Sequence, residues 1–104
     1  MLNNKTIYTK TFSEIKGIQQ YCKISYNLFE YSEPNGKIFG IEIGYSDNFE
    51  TKNTLIKNIS YSKNLVLDII TYLYENSIKD ESAEYIIKDI MSQHESVLST
   101  KRAM

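Results

Sequence analysis

Apolar and polar residues alternate along the first half of the chain, which is the pattern of β-strands that bury one face. Two such strands are predicted over Tyr21–Tyr31 and Lys37–Tyr45, on either side of the turn residues Pro34-Asn35-Gly36. Their apolar rows are Cys22, Ile24, Tyr26 and Leu28 in the first strand and Phe39, Ile41, Ile43 and Tyr45 in the second. An even-length connection through Asn35-Gly36 places both rows on one side of an antiparallel hairpin.

The same connection predicts which residues face each other across the hairpin. The predicted pairs are Tyr26 with Tyr45, Leu28 with Ile43, Phe29 with Glu42, Tyr31 with Gly40 and Asn27 with Gly44. Pro-Asn-Gly also suits a type I turn with a glycine bulge, which would give an odd-length connection and misalign the apolar rows. We let the hydrophobic pattern decide between the two.

Weaker patterns extend the sheet on both sides of this hairpin. A strand is predicted over Thr6–Phe12, and another over Thr54–Ser60 after a polar loop from Asp47 to Asn53. Strands that follow one another with short connections form a meander. The first 60 residues therefore predict an antiparallel meander sheet of three to four strands.

The period of the pattern changes from two residues to that of a helix at Ser60 or Ser62, either of which can cap a helix N-terminus. From Lys63 to Asn76 the polar positions form only a narrow stripe, so this helix is mostly buried. Asp80 is the predicted cap of a second helix, whose apolar face comprises Ala83, Ile86, Ile87, Ile90, Met91, His94, Val97 and Leu98.

These elements predict one two-layer α+β domain over residues 1–104, with the meander sheet packed on a C-terminal helical hairpin. Residues 5–60 are mainly strands, residues 62–98 form the two helices, and residues 99–104 form a tail. The helices cover the sheet face that carries the two apolar rows. The opposite face is then left with two glycines inside a strand, where glycine weakens pairing.

We interpret this opposite face as an interaction surface formed by Phe29, Tyr31, Gly40, Glu42 and Gly44. It is flat, partly aromatic and nearly uncharged, which suits a protein partner or a second copy of the chain. The alternative is that the N-terminal segment from Ile7 to Ile18 folds across it. The sequence leaves both interpretations open.

Composition narrows the function classes. The 104 residues carry 12 Lys and Arg against 13 Asp and Glu, so no strong field attracts nucleic acid. The single cysteine cannot form an intramolecular disulfide, the N-terminus lacks the apolar region of a signal peptide, and no apolar run is long enough for a membrane helix. We therefore expect a cytoplasmic protein that does not insert into a membrane.

Catalytic and metal-binding patterns were sought residue by residue. His94 is the only histidine, which excludes a multi-histidine metal site within one chain, and we place it at the edge of the core. We interpret Cys22 as a small hydrophobic residue and the acids Asp80, Glu81 and Glu84 as partners of a helix dipole. No glycine loop for phosphate and no calcium-loop motif occurs. The sequence predicts no catalytic residue, cofactor or metal.

Three segments, "IFGIEIGYSD", "IKNISYSKNLVLDIITYLYENSI" and "SAEYIIKDIM", resemble a family of small uncharacterised bacterial proteins, a domain of unknown function in low-GC Gram-positive bacteria. The resemblance covers roughly the last two thirds of the chain and concerns the order of two strands and two helices. It implies no activity and no site residue. Short domains of this kind resemble regulatory or accessory proteins.

The function expected from the sequence is that of a non-enzymatic cytoplasmic interaction module, a small regulator or inhibitor whose partner is another protein or a second copy of the chain in a homodimer. The alternative is a nucleic-acid-associated accessory protein of a plasmid or phage. Tyr21, Lys23, Phe29 and Tyr31 supply rings and a charge for single-stranded nucleic acid. Glu42 in the middle of the same face opposes it, so the protein-binding expectation ranks first.

Overall fold

The computed structural model describes residues 2–103, with side chains described for residues 3–93. Its elements are β1 (Leu2–Phe12), β2 (Cys22–Glu33), β3 (Gly36–Asp47), β4 (Thr51–Ser60), α1 (Lys63–Glu75) and α2 (Ser82–Ala103). The strands form one antiparallel sheet in the order β1-β2-β3-β4, and the helices pack against it. The predicted α+β fold, with a meander sheet packed on two C-terminal helices, is confirmed.

The hairpin between β2 and β3 turns at Pro34-Asn35, with Glu33 paired to Gly36. The connection has the predicted even length, but the predicted register is wrong by two residues. The observed pairs include Ser25 with Gly44, Tyr26 with Ile43, Leu28 with Ile41, Phe29 with Gly40 and Tyr31 with Ile38. Proline accounts for the shift, because the predicted register would have put Pro34 in the ladder, where it has no N–H to donate, whereas its fixed φ suits the turn.

Both outer strands begin earlier than predicted. β1 starts at Leu2 and β4 starts at Thr51, so the predicted polar loop from Asp47 to Asn53 shrinks to residues 48–50. The Asp47 carboxylate closes this turn, since its Oδ1 accepts the backbone N–H groups of Phe49 at 2.7 Å and Glu50 at 2.8 Å. An aspartate at the start of a turn does this routinely, and the chain can then return at once as a strand.

Each outer strand also carries an irregularity. The register between β1 and β2 shifts at Ile7, between Thr6 and Tyr8. β4 departs further, because Ile41 pairs with Ile56 while Phe39 pairs with Ser60, so three residues of β4 face a single residue of β3. Asn58 lies in this bulge with a φ of 58°, a left-handed conformation that asparagine tolerates better than most residues.

The core lies between the sheet and the helices, as the apolar rows predict. Its buried members are Ile24, Tyr26, Leu28, Phe39, Ile41, Ile43, Val66, Ile69, Ile70, Leu73, Ala83 and Ile87. The expected covering of the Ile24, Tyr26, Leu28, Ile41 and Ile43 side by the helices is therefore observed. β1 adds Tyr8, whose ring stacks on that of Tyr74 at a centroid distance of 4.4 Å.

Helix α1 begins and ends with capping hydrogen bonds. At its start, Ser62 Oγ accepts the N–H of Leu65 at 3.2 Å, which confirms one of the two predicted caps. At its end, the N–H groups of Ser77 and Ile78 donate to the carbonyl oxygens of Tyr74 and Leu73, the pattern of a Schellman motif. Ser77 occupies the left-handed position with a φ of 52°.

Helix α2 begins at Ser82, whose N–H and hydroxyl both donate to Asp80 Oδ1, as expected for a capping aspartate. The pKa of Asp80 is lowered, chiefly by the hydrogen bond from the Ser82 hydroxyl. The helix reaches Ala103 and so includes residues 99–103, which the pattern assigned to a tail. The predicted core positions of His94, Val97 and Leu98 lie outside the described side chains. Within the described residues, neither helix is long and apolar enough to cross a membrane.

Candidate functional site

The sheet face that points away from the helices is called the outer face here. It includes Asn4, Thr6, Thr9, Thr11, Lys23, Ser25, Asn27, Phe29, Tyr31, Ile38, Gly40, Glu42, Gly44, Ser46, Thr51, Asn53 and Leu55, as the strand alternation and the observed register require. All five residues of the predicted interaction surface lie on this face. Their arrangement differs from the prediction, because Phe29, and not Tyr31, faces Gly40.

A hydrogen-bonded cluster occupies the middle of the outer face. Glu42 Oε1 accepts the side-chain amide N–H groups of Asn4 at 2.9 Å and of Asn27 at 3.1 Å. Because Asn4 and Glu42 lie on the strands that flank β2, their hydrogen bond spans β2 at the level of Asn27, which is only 8% exposed. Glu42 is thus held in one orientation by donors from two other strands.

Gly40 is enclosed by the protein's own backbone. A Cβ atom at this position would contact the Ile56 carbonyl oxygen and would lie 3.1 Å from the Lys57 Cα. The bulge of β4 therefore passes close over Gly40, where a larger residue would not fit. Phe29, the ladder partner of Gly40 on β2, is also buried, at 7% exposure.

Gly44 lies in a different environment at the other end of the outer face. A Cβ atom there would meet Ser25 Oγ at 2.6 Å and Asn53 Oδ1 at 3.4 Å, and both are ends of side chains. The surrounding shallow depression of about 370 Å³ is mainly polar and is lined by Thr6, Thr9, Lys23, Ser25, Gly44, Tyr45, Ser46, Thr51 and Asn53. The two glycines therefore have different physical roles.

The outer face is not covered by the N-terminal segment. The alternative that Ile7–Ile18 folds across it is wrong, because residues 7–12 belong to β1 and extend the sheet sideways. Residues 19–21 instead line a depression with Ile24 and Tyr45, which belong to the helix side. Apolar groups consequently stay exposed on the outer face, with Tyr31 at 45% and Leu55 at 42%.

Two features of this face were missed by sequence reasoning. Asn4 lies where the apolar alternation is weak, and its contact with Glu42 joins residues 38 positions apart. Asn27 lies on the outer face as the alternation predicts, but it is buried, and among the described residues its Oδ1 has no hydrogen-bond partner. The sequence signal for this cluster was that Asn27 and Glu42 face each other across the hairpin, which holds only in the observed register.

A second polar cluster lies at the end of the sheet near the β3–β4 turn. The Tyr45 hydroxyl donates to Asp47 Oδ2 at 2.7 Å, and the Lys79 ammonium lies 5.3 Å from the centre of the Tyr45 ring. The hydrogen bond to Asp47 raises the pKa of Tyr45 to about 12 and lowers that of Asp47. Every group in this cluster is engaged with a neighbour, which marks it as a structural element of the turn.

The remaining candidate residues do not converge. Cys22 is half-buried at the start of β2 and pairs with Asp47 in the ladder. Among the side chains described, no three His, Cys, Asp or Glu residues are grouped so that they could hold a metal ion. The side chain of His94 lies beyond the described range.

Comparison with known proteins gives one match. Residues 4–93 match the model of a family of unknown function, DUF6514. The matched range begins at the third residue of β1 and contains the rest of that strand, β2, β3, β4, α1 and about the first half of α2. No curated protein and no solved structure matches the chain. The match extends beyond the part of the chain in which the sequence resemblance was noted.

Proposed function

The chain belongs to the family of unknown function DUF6514. We propose that it is a non-enzymatic, cytoplasmic protein-binding module that acts through its outer face. As a small regulator or inhibitor, it would occupy a surface of its partner, which is either another protein or a second copy of the chain. The observation that carries the proposal is the exposed part of the outer face, where Tyr31 and Leu55 lie near the fixed Glu42 carboxylate. Phe29 and Gly40 on the same face are buried.

The orientation of Glu42 supports recognition of a partner. A side chain that is already fixed by Asn4 and Asn27 loses little conformational entropy when a partner binds to it. Tyr31 and Leu55 supply apolar contact area on either side, and small residues such as Ser25 and Gly44 keep the rest of the surface flat. A fixed carboxylate within this surface adds specificity, because a partner must supply a matching donor or cation.

Irregularities at both edges of the sheet favour the outer face, and not an edge strand, as the binding surface. An exposed edge strand can pair with another chain, and bulges oppose this by twisting the edge away. β1 carries such an irregularity at Ile7, and β4 carries the larger one around Asn58. Strand addition at either edge would meet these irregularities.

The proposal is tested by photo-crosslinking from two matched positions. Tyr31 on the outer face and Phe49 in the β3–β4 turn are both exposed, at 45% and 79%, and each is replaced in turn by a photo-reactive phenylalanine analogue in the host cell. We expect a discrete protein adduct from position 31 that is absent from position 49 and weaker in a Glu42→Gln background. Identical adducts from both positions, or none from position 31, would contradict the proposal.

The alternative proposal is a nucleic-acid-associated accessory protein that uses the same face. Tyr31 and Lys23 are exposed there and could contact a single strand, while Glu42 lies between them and repels phosphate. A mobility shift with single-stranded DNA or RNA that is suppressed by salt and lost in Lys23→Gln would favour this alternative. We expect no shift at moderate salt.

A further inference from the structure

The outer side of the helical layer contains a groove between α1 and α2 that the proposed function does not use. Its volume is about 470 Å³, and it is lined by Leu65, Asp68, Ile69, Tyr72, Ile86, Asp89, Ile90 and Gln93. Four of these residues are aliphatic and form its floor. A groove of this composition is the kind in which an amphipathic helix binds.

The charges along the groove have one sign. Asp68 on α1 and Asp89 on α2 are both exposed, and among the side chains described, residues 3–93, no lysine or arginine lines the groove. In the described part of the chain, the ion pairs involve Glu30, Glu81 and Glu84, and neither of these two aspartates. Two carboxylates therefore border an apolar floor without a neutralising partner there.

An exposed tyrosine lies one helical turn from each aspartate. Tyr72 follows Asp68 by four residues on α1, is 49% exposed and lines the groove. Tyr85 precedes Asp89 by four residues on α2 and is 74% exposed, and residues four apart lie on the same side of a helix. Tyrosine is enriched at the energetically important positions of protein interfaces.

From this arrangement we infer that the α1–α2 groove is a second docking site, whose occupant is an amphipathic helix of a partner protein with an apolar stripe flanked by lysine or arginine. The apolar stripe packs on Leu65, Ile69, Ile86 and Ile90. The basic flanks pair with Asp68 and Asp89, because charge complementarity sets the specificity and orientation of such contacts. The site is separate from the outer face and does not depend on it.

The test uses two designed peptides of about 18 residues, long enough to form a helix in isolation, that share one leucine stripe. One carries lysine at the flanking positions and the other carries glutamate. We expect the lysine peptide to bind the full chain in fluorescence anisotropy at low salt, and the glutamate peptide to bind at least tenfold more weakly. Equal binding of both peptides, or no binding of the lysine peptide, overturns the inference.

Matched variants locate the binding. Asp68→Asn with Asp89→Asn removes two charges without changing side-chain size, and should weaken the lysine peptide about fivefold, as two partly screened ion pairs would. Glu14→Gln with Glu50→Gln removes the same charge from exposed residues outside the groove and should leave binding unchanged. Loss of peptide binding in both double variants, or in Glu42→Gln, would contradict this site. Dimerisation of the wild type that depends on concentration and is abolished by Asp68→Asn with Asp89→Asn would also contradict it, because the occupant would then be a second copy of the chain.

Discussion

The backbone carbonyl of Ile56 occupies the space that a Cβ atom of Gly40 would need, so glycine is the residue that this position requires. The contact joins the centre of β3 to the bulge of β4. It gives Gly40 an internal packing role, whereas Gly44, four residues later on the same face, meets only the ends of side chains. The difference leads to a direct comparison of the two glycines.

Gly40→Ala should lower the free energy of unfolding by about 1–3 kcal/mol, because the β4 backbone must move to admit the methyl group. Gly44→Ala is the matched control and should change it by less than about 0.5 kcal/mol, since Ser25 Oγ can rotate away. Urea denaturation followed by circular dichroism measures both. Equal stability of the two variants would show that β4 does not enclose Gly40.

Two core tyrosines should respond in opposite directions to loss of their hydroxyl groups. The Tyr26 ring is fully buried, burial raises its pKa to about 12, and among the described residues its hydroxyl has no hydrogen-bond partner. Tyr26→Phe should therefore raise the free energy of unfolding by about 1 kcal/mol.

The control is Tyr8→Phe, because the Tyr8 hydroxyl lies 3.0 Å from Thr71 Oγ1 and shares a hydrogen bond with it. This variant should lower the free energy of unfolding by about 0.5–1.5 kcal/mol. Thermal and urea denaturation of both proteins provide the measurement. Destabilisation by Tyr26→Phe would mean that its hydroxyl has a partner in solution.

Lys10 should stabilise the C-terminal end of α1. Its ammonium donates to the Tyr74 carbonyl oxygen at 2.6 Å and to Ser77 Oγ at 2.8 Å, and lies 4.6 Å from the centre of the Tyr74 ring. Lys10→Met keeps most of the side chain but removes the charge at the negative end of the helix, and should cost about 1–2 kcal/mol. Lys5→Met, at an exposed position of the same strand, should be neutral. Equal changes in the free energy of unfolding from the two substitutions would show that Lys10 does not stabilise the end of α1.

Asp47 should make the stability of the chain depend on pH in the acid range. The Tyr45 hydroxyl, followed by the N–H groups of Phe49 and Glu50, lowers the pKa of Asp47 below its ordinary value of 3.8. A carboxyl with a lowered folded-state pKa stabilises the fold above its unfolded value, and this contribution is lost as the pH falls through the folded value. Stability should therefore decrease on acidification below about pH 4.

Tyr45→Phe removes the main cause of the shift, so the pKa of Asp47 should rise toward 3.8 when it is followed by NMR. Asp47→Asn should flatten the acid slope of the free energy of unfolding. An unchanged Asp47 pKa in Tyr45→Phe would show that this hydrogen bond does not form in solution.

Ile70 provides a test of the helical layer. It is fully buried on α1, and Ile70→Ala should lower the free energy of unfolding by about 2–5 kcal/mol through lost contacts and a cavity. Tyr72→Ala, two residues later at a position that is 49% exposed, should cost less than about 1 kcal/mol. Similar losses of stability at both positions would show that the buried face of α1 is assigned incorrectly.

The sequence by itself determined the order of the elements and which side of each is buried. Alternation in β2 and β3 and the helical period after Ser62 depend on neighbouring residues along the chain, so the pattern records them directly. The α+β meander with two C-terminal helices, the Ser62 cap and the identity of the buried apolar rows follow from this local information. The same pattern placed Phe29, Tyr31, Gly40, Glu42 and Gly44 on one face.

The hydrophobic pattern did not decide which residues on that face meet each other. A shift of two residues leaves every side chain on its own face, so this pattern could not distinguish the predicted hairpin register from the observed one. Pro34 is a local signal for the observed register, which places Phe29 opposite Gly40, but the tertiary structure decided the contacts between distant elements. The bulge of β4 over Gly40, the contact of Asn4 with Glu42 and the groove between α1 and α2 join residues far apart in the chain, and such contacts arise only when the strands and helices are packed in three dimensions.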